Sequence, residues 1–409
     1  SSRWYTLGTP KGKEGTHPMS SHTNADGRRS RKGLMVLSGL HFINDLHASF
    51  LPTFLPLLIR NLSLTLGEAG TLNALFGGIH LIAQPLAGLW ADRSARSLLV
   101  FWGPVLTLWG ACLIPLAPTL PLAFLIVGIF SLGTAAFHPQ GHGLVGAVVP
   151  GNELGGALAI FAAAGTLGAA LSPLYAVALW DTPGHLGLVG VSAAALLIPL
   201  LCRGIFPRRT PGAGSQLPPF KQFLHVGRLV APILTLTIAR DATSQGIRVF
   251  LPLWVTLRGG TLAQGGTLLF AYTLGGMAGG MLAGRLSDRL GTRPFLTGSF
   301  ALAPALLLGG LLTEGGLSWL LLILGGTVLS SSSPVTTALA QKTTPESRST
   351  ASSLAMGVSW GLANWVTSPL GLLADAWGLN QALICIALTP WAFLALNPLV
   401  SRASRNAPR

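Results

Sequence analysis

Twelve apolar segments separated by short polar breaks constrain this sequence more than any other feature. Each has about 20 residues or more, the length that an α-helix needs to cross the hydrocarbon of a bilayer. The segments are 34–59, 68–90, 98–117, 119–138, 153–180, 186–206, 229–257, 265–287, 294–312, 317–340, 350–374 and 379–400. Only 9% of the residues are charged, whereas a soluble domain has about a quarter. The sequence therefore predicts an all-α membrane protein with twelve transmembrane helices.

The longest internal polar stretch divides these segments into six and six. We predict the following organisation: a disordered tail at 1–32, a first half at 33–206, a linker at 207–228, a second half at 229–400 and a second tail at 401–409. The first tail holds seven Lys and Arg residues and no apolar periodicity, which is typical of disorder. Met19 is one candidate for the natural first residue, which would leave residues 1–18 outside the native protein.

The basic residues indicate how the chain is oriented. Of the 26 Lys and Arg residues, 22 lie in the tails, the linker and the loops on one side of the predicted membrane. By the positive-inside rule both termini are cytoplasmic, and we expect a multi-pass protein of the bacterial plasma (inner) membrane. A net charge of +14 can indicate nucleic-acid binding. Here the basic residues lie in the tails and loops on one side of the predicted membrane, which membrane topology explains, so we expect lipid and no nucleic acid as a partner.

The two halves are related in sequence. At an offset of 196, Asp45 aligns with Asp241, and residues 45–93 contain 15 identities in 49 ungapped positions. Shared apolar composition explains aligned leucines, but it does not explain aligned Asp, Pro and Asp-Arg residues. The sequence therefore predicts two pseudo-symmetric halves that arose by duplication of a six-helix unit.

The sequences Gly88-Leu-Trp-Ala-Asp92-Arg93-Ser-Ala-Arg96 and Gly284-Arg-Leu-Ser-Asp288-Arg289-Leu-Gly-Thr-Arg293 resemble the loop after helix 2 of the major facilitator superfamily and its copy after helix 8. The resemblance implies the major facilitator fold and assigns these residues to a gate. Asp92 is then expected beside the start of span 11, near residues 349–353. Asp288 is expected beside Asn152 and Glu153, and both contacts require a closed cytoplasmic side. The residues assigned to this gate are Gly88, Asp92, Arg93, Arg96, Gly284, Asp288, Arg289 and Arg293.

Two shorter signatures resemble the fosmidomycin-resistance group of exporters within that superfamily. They are His41-Phe-Ile-Asn44-Asp45 in span 1 and Phe137-His138-Pro139 in span 4. We place His138 at the cytoplasmic end of span 4 and assign it to the gate, with proton transfer as the alternative. Span 4 lacks the intramembrane arginine of common drug–proton antiporters, so their coupling arrangement does not carry over.

Ionisable residues inside the spans are the candidates for proton coupling, because each costs roughly 3 kcal/mol at bilayer depth and usually faces a cavity. His41 and Asp45 are four residues apart on one helix face, and Asp241 is the repeat-related carboxylate. Burial disfavours the ionised form of a carboxylate, whereas a nearby cation keeps the carboxylate ionised. Asp45 has only histidines nearby in sequence, whereas Asp241 shares its helix with two arginines, so Asp45 is the better proton carrier of the two. A purely structural pairing with His41 is the alternative. Asp241 has Arg240 and Arg248 on its own helix, and neutralising one of them is its alternative role.

Other polar residues of the spans are candidates for substrate binding. Arg248 lies two turns beyond Asp241, about 10 Å along the axis, which is too far for direct neutralisation unless the side chain bends back. Free guanidinium groups favour an anionic substrate, in agreement with a phosphonate such as fosmidomycin. Packing between helices is the alternative for His80 and Gln84. The assigned residues are Asn44, His80, Gln84, Arg240, Gln245, Arg248, Trp360 and Asn364.

Together these features predict a proton-coupled exporter of small anionic compounds that acts as a monomer by alternating access. An uptake symporter or facilitator for a metabolite anion is the alternative, and a membrane sensor that does not translocate is a third. We expect no cofactor, with the proton gradient as energy source, and no metal site. The sequence shows no nucleophile–base constellation, metal-ligand spacing or phosphate loop, so we do not expect an enzyme.

Overall fold

A computed structural model describes residues 22–94, 96–149, 153–202, 204–206, 220–347, 350–351 and 353–394. The regular elements within these ranges are helices. The first half contains α1 (His22–Ala48), α2 (Phe50–Leu62), α3 (Leu66–Arg93), α4 (Leu99–Leu113), α5 (Leu120–Val148), α6 (Leu154–Trp180), α7 (Leu186–Ala195) and α8 (Leu197–Leu201). The second half contains α9 (Phe220–Leu257), α10 (Leu262–Leu290), α11 (Thr292–Leu312), α12 (Gly315–Thr343), α13 (Ser359–Trp365), α14 (Thr367–Trp377) and α15 (Leu379–Leu394).

These helices account for the twelve predicted spans. Among the described residues, ten helical stretches are long and apolar enough to cross a membrane. The other two spans are an interrupted helix, formed by a π-helical turn at Ser353–Val358 with α13 and α14, and the shorter apolar helix α15. The all-helical fold class is therefore confirmed. Large apolar side chains such as Met281, which is 77% exposed, cover the outer surface where lipid is the solvent.

Three predicted boundaries differ from the structure. Helix α1 begins at His22, inside the tail predicted as disordered at 1–32, and α9 begins at Phe220, inside the predicted linker. Helix α5 continues to Val148, beyond the predicted end of span 4 at residue 138. Hydropathy detects only the part of a helix that crosses hydrocarbon, whereas polar turns can extend the helix beyond it. Residues 1–21, 207–219 and 395–409 of the predicted tails and linker lie outside the described residues.

The sequence repeat reappears in the way two helices begin. Thr65 caps α3 by accepting a hydrogen bond from the Glu68 backbone N–H, and the Glu68 carboxylate accepts from the Thr65 N–H at 2.9 Å. Thr261 and Gln264 make the same reciprocal pair at the start of α10, with a matching distance of 2.8 Å. This arrangement satisfies N–H groups that have no partner within the helix. Both helices therefore begin in the same way, at positions related by the repeat.

The apolar packing shows where the two halves meet. We call the end of the bundle where α3, α5 and α12 end, at Arg93, Val148 and Thr343, the basic face, and the end with the loops at 63–65, 258–261 and Gly378 the acidic face. The largest hydrophobic cluster contains residues of both halves, including Phe54 and Phe250, from segments near the acidic face. Three smaller clusters each contain residues of one half only.

The halves separate toward the basic face. A Cβ built at Gly156 in α6 or at Gly284 in α10 has no heavy atom within 4 Å. Asp288 is exposed and makes no hydrogen bond or ion pair with another described residue. The described structure is therefore joined at the acidic face and open at the basic face.

Candidate functional site

A cavity of about 210 Å³ lies between the halves and collects polar side chains from both. The first half contributes Asp45 from α1, His80 from α3 and His138 from α5; the second half contributes Arg248 from α9 and Trp360 and Asn364 from α13. These residues come from five helices of both halves, so any movement between the halves changes the shape of this cavity.

The carboxylate of Asp45 is held on three sides. His41 Nε2 lies 3.2 Å from Oδ2, and His138 Nε2 lies 3.6 Å from Oδ1. The Asn44 amide donates a hydrogen bond of 3.0 Å to Oδ1. The side chain is 20% exposed and lines the cavity, so it is fixed in orientation yet reachable from the cavity.

The surroundings of His41 determine which ring nitrogen carries a proton. His41 Nδ1 lies 2.7 Å from the Phe161 carbonyl oxygen, and the two rings stack with centroids 4.2 Å apart. A carbonyl only accepts, so Nδ1 carries a hydrogen and donates it. In a neutral ring Nε2 then presents a lone pair, which would face the Asp45 oxygen. Gly165 permits this position, because a Cβ there would overlap the His41 ring.

Two facing acceptors repel each other unless a proton lies between them. A proton placed between His41 Nε2 and Asp45 Oδ2 removes this repulsion. That proton resides either on Nε2, giving an ion pair, or on Oδ2, giving a neutral pair. In both cases the pair has no net charge and contains one exchangeable proton beside the cavity.

His138 does not lie at the end of a helix. Because α5 continues to Val148, His138 falls within it, beside Asp45 and at the cavity wall. Its assignment to a gate at the end of span 4 is therefore wrong in position. The error follows from ending span 4 where the apolar run stops, although the helix itself continues.

Asn44 orients the carboxylate and lies outside the cavity wall. It is fully buried, and its carbonyl oxygen accepts a 3.0 Å hydrogen bond from Thr107 Oγ1 while its amide donates to Asp45. Both ends of the amide are therefore occupied by protein groups. The structure places Asn44 behind Asp45, and Thr107 is a supporting residue that the sequence pattern gave no reason to select.

The second carboxylate has a different environment. Asp241 Oδ1 accepts from Arg240 Nε at 2.8 Å and lies 2.7 Å from Arg240 Nη2. Arg240 is 4% exposed and also donates from Nη1 to Thr336 on α12. This pair is charge-neutral and tied to a neighbouring helix. Asp241 thus pairs with Arg240 in the described structure, and its part in proton coupling stays a prediction.

Arg248 lines the cavity, and its Nε is buried without a hydrogen-bond partner among the described residues. Within the cavity lining it is the one residue with a permanent positive charge, and Asp45 is the one carboxylate. A buried guanidinium nitrogen with no partner is costly, and an oxyanion would satisfy it.

Amide side chains connect the halves next to the cavity. The Asn364 carbonyl oxygen accepts from Asn73 Nδ2 at 3.0 Å and from Gln245 Nε2 at 2.8 Å. Asn364 Nδ2 donates to the Trp360 carbonyl. The Asn73–Asn364 bond joins α3 of the first half to α13 of the second half, and Gln245 on α9 holds Asn364 in place within the second half.

The remaining predicted binding residues divide by position. His80 and Trp360 line the cavity with their rings 5.2 Å apart, edge to face. Gln84 is half-buried on α3 outside the cavity lining. His80 also lies 3.2 Å from Ser131 on α5 through Nδ1, so it packs between helices and reaches the cavity at the same time.

Comparison with known proteins agrees with this architecture. A sequence model described as Major Facilitator Superfamily matches residues 37–368, most of the chain. The chain belongs to this superfamily. It is 27% identical to the uncharacterised transporter YfnC of Bacillus subtilis (strain 168), over 87% of this chain and 90% of the relative. It is also 27% identical to the fosmidomycin resistance protein of Escherichia coli (strain K12), over 84% of this chain and 86% of that protein.

Solved structures of superfamily members share the fold at low identity. A bacterial homologue of the human lysosomal transporter Spinster, in an inward-facing and unoccupied conformation, superposes with a TM-score of 0.72 at 16% identity, covering 93% of this chain and 98% of that chain. The nucleoside transporter NupG gives 0.70 at 14% identity, with 89% and 98% covered. The protein is thus a multi-pass bacterial membrane transporter of the major facilitator type, which binds a small-molecule substrate and is not an enzyme.

The loop residues of the superfamily signature lie on the open basic face. Arg93, Arg96, Arg289 and Arg293 are exposed, as is Asp288, whose predicted neighbour Asn152 lies outside the described residues. The Asp92 side chain also lies outside them. Gln140 holds this loop on α5 by donating to the Arg96 carbonyl and accepting from the Val100 N–H. The predicted latches require a closed basic face, so they stay predictions.

A latch that sequence reasoning missed is present on the acidic face. The two carboxylate oxygens of Asp375, at the end of α14, accept from the backbone N–H groups of Leu66 and Gly67 at 2.7 and 2.8 Å. These are the first N–H groups of α3, where the helix dipole favours an anion. Gly371 permits the approach, because a Cβ there would clash with the Leu66 carbonyl. Asp375 thus joins the two halves across the closed face.

We expect Asp375→Asn to favour opening of the acidic face, because it removes the charge that two helix N–H groups share. Hydrogen bonds to charged groups contribute roughly 1.5–3 kcal/mol, and the exposure of Asp375 reduces this contribution. We therefore expect the labelling rate of a cavity residue from the acidic face to rise about fivefold. The measurement is labelling of a cysteine at the cavity residue Ser49 by a membrane-impermeant maleimide added on the acidic face.

The background for this labelling carries serine at Cys112, Cys202 and Cys385, the three natural cysteines. Asp181→Asn is the matched control, because Asp181 is also exposed near that face but does not bridge the halves. Equal labelling rates in the Asp375 variant, the control and the parent would contradict the latch.

Proposed function

We propose that this protein is a proton-coupled transporter of small anionic compounds of the phosphonate type, and that it exports them by alternating access as a monomer in the bacterial inner membrane. The observation that carries the proposal is one cavity with two charge sites on opposite halves. The His41–Asp45 pair, which can hold a proton, is on one wall, and Arg248, whose buried Nε has no hydrogen-bond partner among the described residues, is on the other. The resemblance to a fosmidomycin resistance protein supports export and the phosphonate class.

The charge balance of the cavity supports an anion. While the His41–Asp45 pair holds its proton it has no net charge, and the Arg240–Asp241 pair is likewise neutral. Arg248 then leaves the wall with about one positive charge. A phosphonate or carboxylate supplies two oxygens in the planar geometry that a guanidinium prefers.

The charges of the cavity also support proton coupling, because the charge at Asp45 affects how strongly an anion binds at Arg248. Loss of the proton leaves a negative charge at Asp45 that repels an anion bound at Arg248. Two like charges on the walls of one cavity repel each other more strongly in the protein interior than in water. By reciprocity, anion binding strengthens proton binding by the same free energy as proton binding strengthens anion binding.

Mutual strengthening favours movement of anion and proton in the same direction, which supports the uptake symporter as a second candidate. Export by exchange instead requires that substrate and proton exclude each other. A compound that also carries a proton-donating or cationic group toward Asp45 would meet that requirement. Both candidates use the same residues and the same rocking of two halves, and they differ in the sign of the coupled proton flux.

The sign of the flux is measured in proteoliposomes that contain the purified protein and an internal pH dye. We expect fosmidomycin, other phosphonates or small organic anions, added outside, to move protons only when protein is present. Acidification of the lumen indicates co-transport of protons with the added anion, and alkalinisation of the lumen indicates exchange. No proton movement with any anion, under conditions in which radiolabelled anion crosses, would refute proton coupling.

A further inference from the structure

We propose that His41, Asp45 and His138 form a binding site for a divalent transition-metal ion of the zinc class at the cavity wall. This inference goes beyond the proposed function, which requires only a proton there. Sequence spacing alone gives no indication of the site, and no metal site is predicted from it, because His138 belongs to a different helix from His41 and Asp45.

The distances match those between ligands around a small tetrahedral ion. Zinc binds histidine nitrogen and carboxylate oxygen at about 2.0–2.2 Å, which places neighbouring ligand atoms roughly 3.3 Å apart. The His41 Nε2 to Asp45 Oδ2 distance is 3.2 Å, and the His138 Nε2 to Asp45 Oδ1 distance is 3.6 Å. The ligand atoms of all three residues lie within 4.8 Å of one another. Small rotations of the side chains would therefore complete a three-ligand site.

The supporting contacts are those that metal ligands usually have. A histidine that binds a metal commonly donates its other N–H to a carbonyl, which fixes the tautomer. His41 does so through Nδ1 to the Phe161 carbonyl, which leaves the Nε2 lone pair directed at Asp45. The carboxylate is oriented in turn by the Asn44 amide. A cation placed between Nε2 and the carboxylate removes the repulsion between facing acceptors as effectively as a proton does.

The ligand set also selects the kind of ion. Two imidazoles and one carboxylate suit zinc, cobalt, nickel or ferrous iron, whereas magnesium and calcium prefer oxygen ligands. Asp45 and His138 line the cavity, so the fourth position of the ion opens toward it and toward Arg248. The ligands must be deprotonated to bind. The metal therefore displaces the proton of the His41–Asp45 pair, and zinc is expected to inhibit proton-coupled transport.

The test uses the full-length protein in detergent, purified without a polyhistidine tag and stripped with a chelator. Cobalt serves as the spectroscopic probe and zinc as the calorimetric one. We expect one ion per chain and visible cobalt bands of a nitrogen–oxygen site. The intense sulfur-to-cobalt absorption that Cys112, Cys202 or Cys385 would produce should be absent. Asp45→Asn and His138→Gln each remove a direct ligand, so each should weaken zinc binding by about 100-fold or more, beyond the roughly 10–100-fold that loss of a supporting partner costs.

His225→Gln is the matched control, because His225 is an exposed histidine on α9 outside the site, and its zinc affinity should equal that of the parent. Size-exclusion profiles and unfolding temperatures establish that each variant is folded. His138→Gln remains informative if Asp45→Asn does not fold, since it leaves the contacts of Asp45 with Asn44 and His41 in place.

Parent protein that binds no zinc at millimolar concentration, or variants that bind as tightly as the parent, would overturn the metal site. Neither result affects the proposed function, which is tested separately by anion-dependent proton movement in the presence of a chelator. Conversely, stoichiometric zinc binding without any proton movement would support the metal site and refute the coupling proposal.

Discussion

Asp45→Asn is expected to abolish accumulation of substrate against its gradient while leaving downhill exchange. A pH difference of about two units supports roughly a 100-fold gradient for one coupled proton, since each 1.4 kcal/mol is tenfold. Without a titrating group at this position we expect the ratio of the internal to the external substrate concentration to stay near one. The measurement is uptake of radiolabelled anion into proteoliposomes with an imposed pH difference, compared with counterflow in its absence.

The asparagine fits the local hydrogen bonds, so loss of transport would not reflect misfolding. Its side-chain carbonyl can still accept from Asn44, and its amide can donate to the Nε2 lone pair of a neutral His41, which keeps Nδ1 on the Phe161 carbonyl. The pair then needs no shared proton. The shape is retained while the exchangeable proton is lost.

Asp181→Asn is the control for Asp45, because Asp181 is exposed at a helix end away from the cavity. Full gradient-driven accumulation by the Asp45 variant would show that another group carries the proton. The structure then points to His138 or His80, which also line the cavity. Equal loss of counterflow and accumulation would indicate a structural role for Asp45.

The spans, the duplication and the family could be predicted because they depend on local or periodic properties of the sequence. A bilayer requires long apolar helices, so the spans can be found from hydropathy. The aligned Asp, Pro and Asp-Arg residues indicate that the second half repeats the first. The pairing of His41 with Asp45 is local as well, since residues four apart share a helix face. These features need no knowledge of how distant segments meet.

Contacts between distant helices could not be predicted in this way. His138 joins Asp45 only because α5 continues past its apolar stretch, and Asp375 reaches the start of α3 from a helix about 300 residues away. The bonds from Asn73 and Gln245 to Asn364 likewise join three separate helices. Each depends on how helices that are distant in sequence pack together, and the presence of a polar residue in a span does not indicate whether its side chain faces substrate or another amide.

Arg240 and Arg248 show the same limit with greater consequences, because the sequence assigns both arginines to substrate binding. The structure gives Arg240 a carboxylate and a threonine as partners, whereas the Nε of Arg248 has no described partner. Removing Arg240 would leave the Asp241 charge unpaired in a buried setting, which destabilises proteins by several kcal/mol. Arg240→Ala should therefore lower stability, and its effect on transport would not report on substrate binding.

Arg248→Ala is expected to weaken binding of anionic substrate by about 100-fold or more, because charged hydrogen bonds contribute roughly 1.5–3 kcal/mol each and a bidentate anion makes two. Arg248→Lys keeps the charge but loses the planar fork, so we expect about a tenfold loss. Affinity is measured on purified protein by calorimetry or by ligand-dependent shifts in unfolding temperature. Arg60→Ala is the control, since Arg60 is an exposed arginine near the acidic face.

Stability should change in the opposite direction from affinity, which separates this prediction from simple misfolding. The Nε of Arg248 is buried without a hydrogen-bond partner among the described residues, and burying an unpaired polar group destabilises the folded state. The Arg248→Ala variant should therefore unfold at the same temperature as the parent or at a higher one. The repeat places Pro52, another cavity residue, at the equivalent position of the first half, so the cavity lining contains no second arginine that can compensate. Normal anion binding by a stable Arg248→Ala variant would therefore show that Arg248 is not the anion site and would remove the charge argument for an anionic substrate, so neutral and cationic compounds should then be tested.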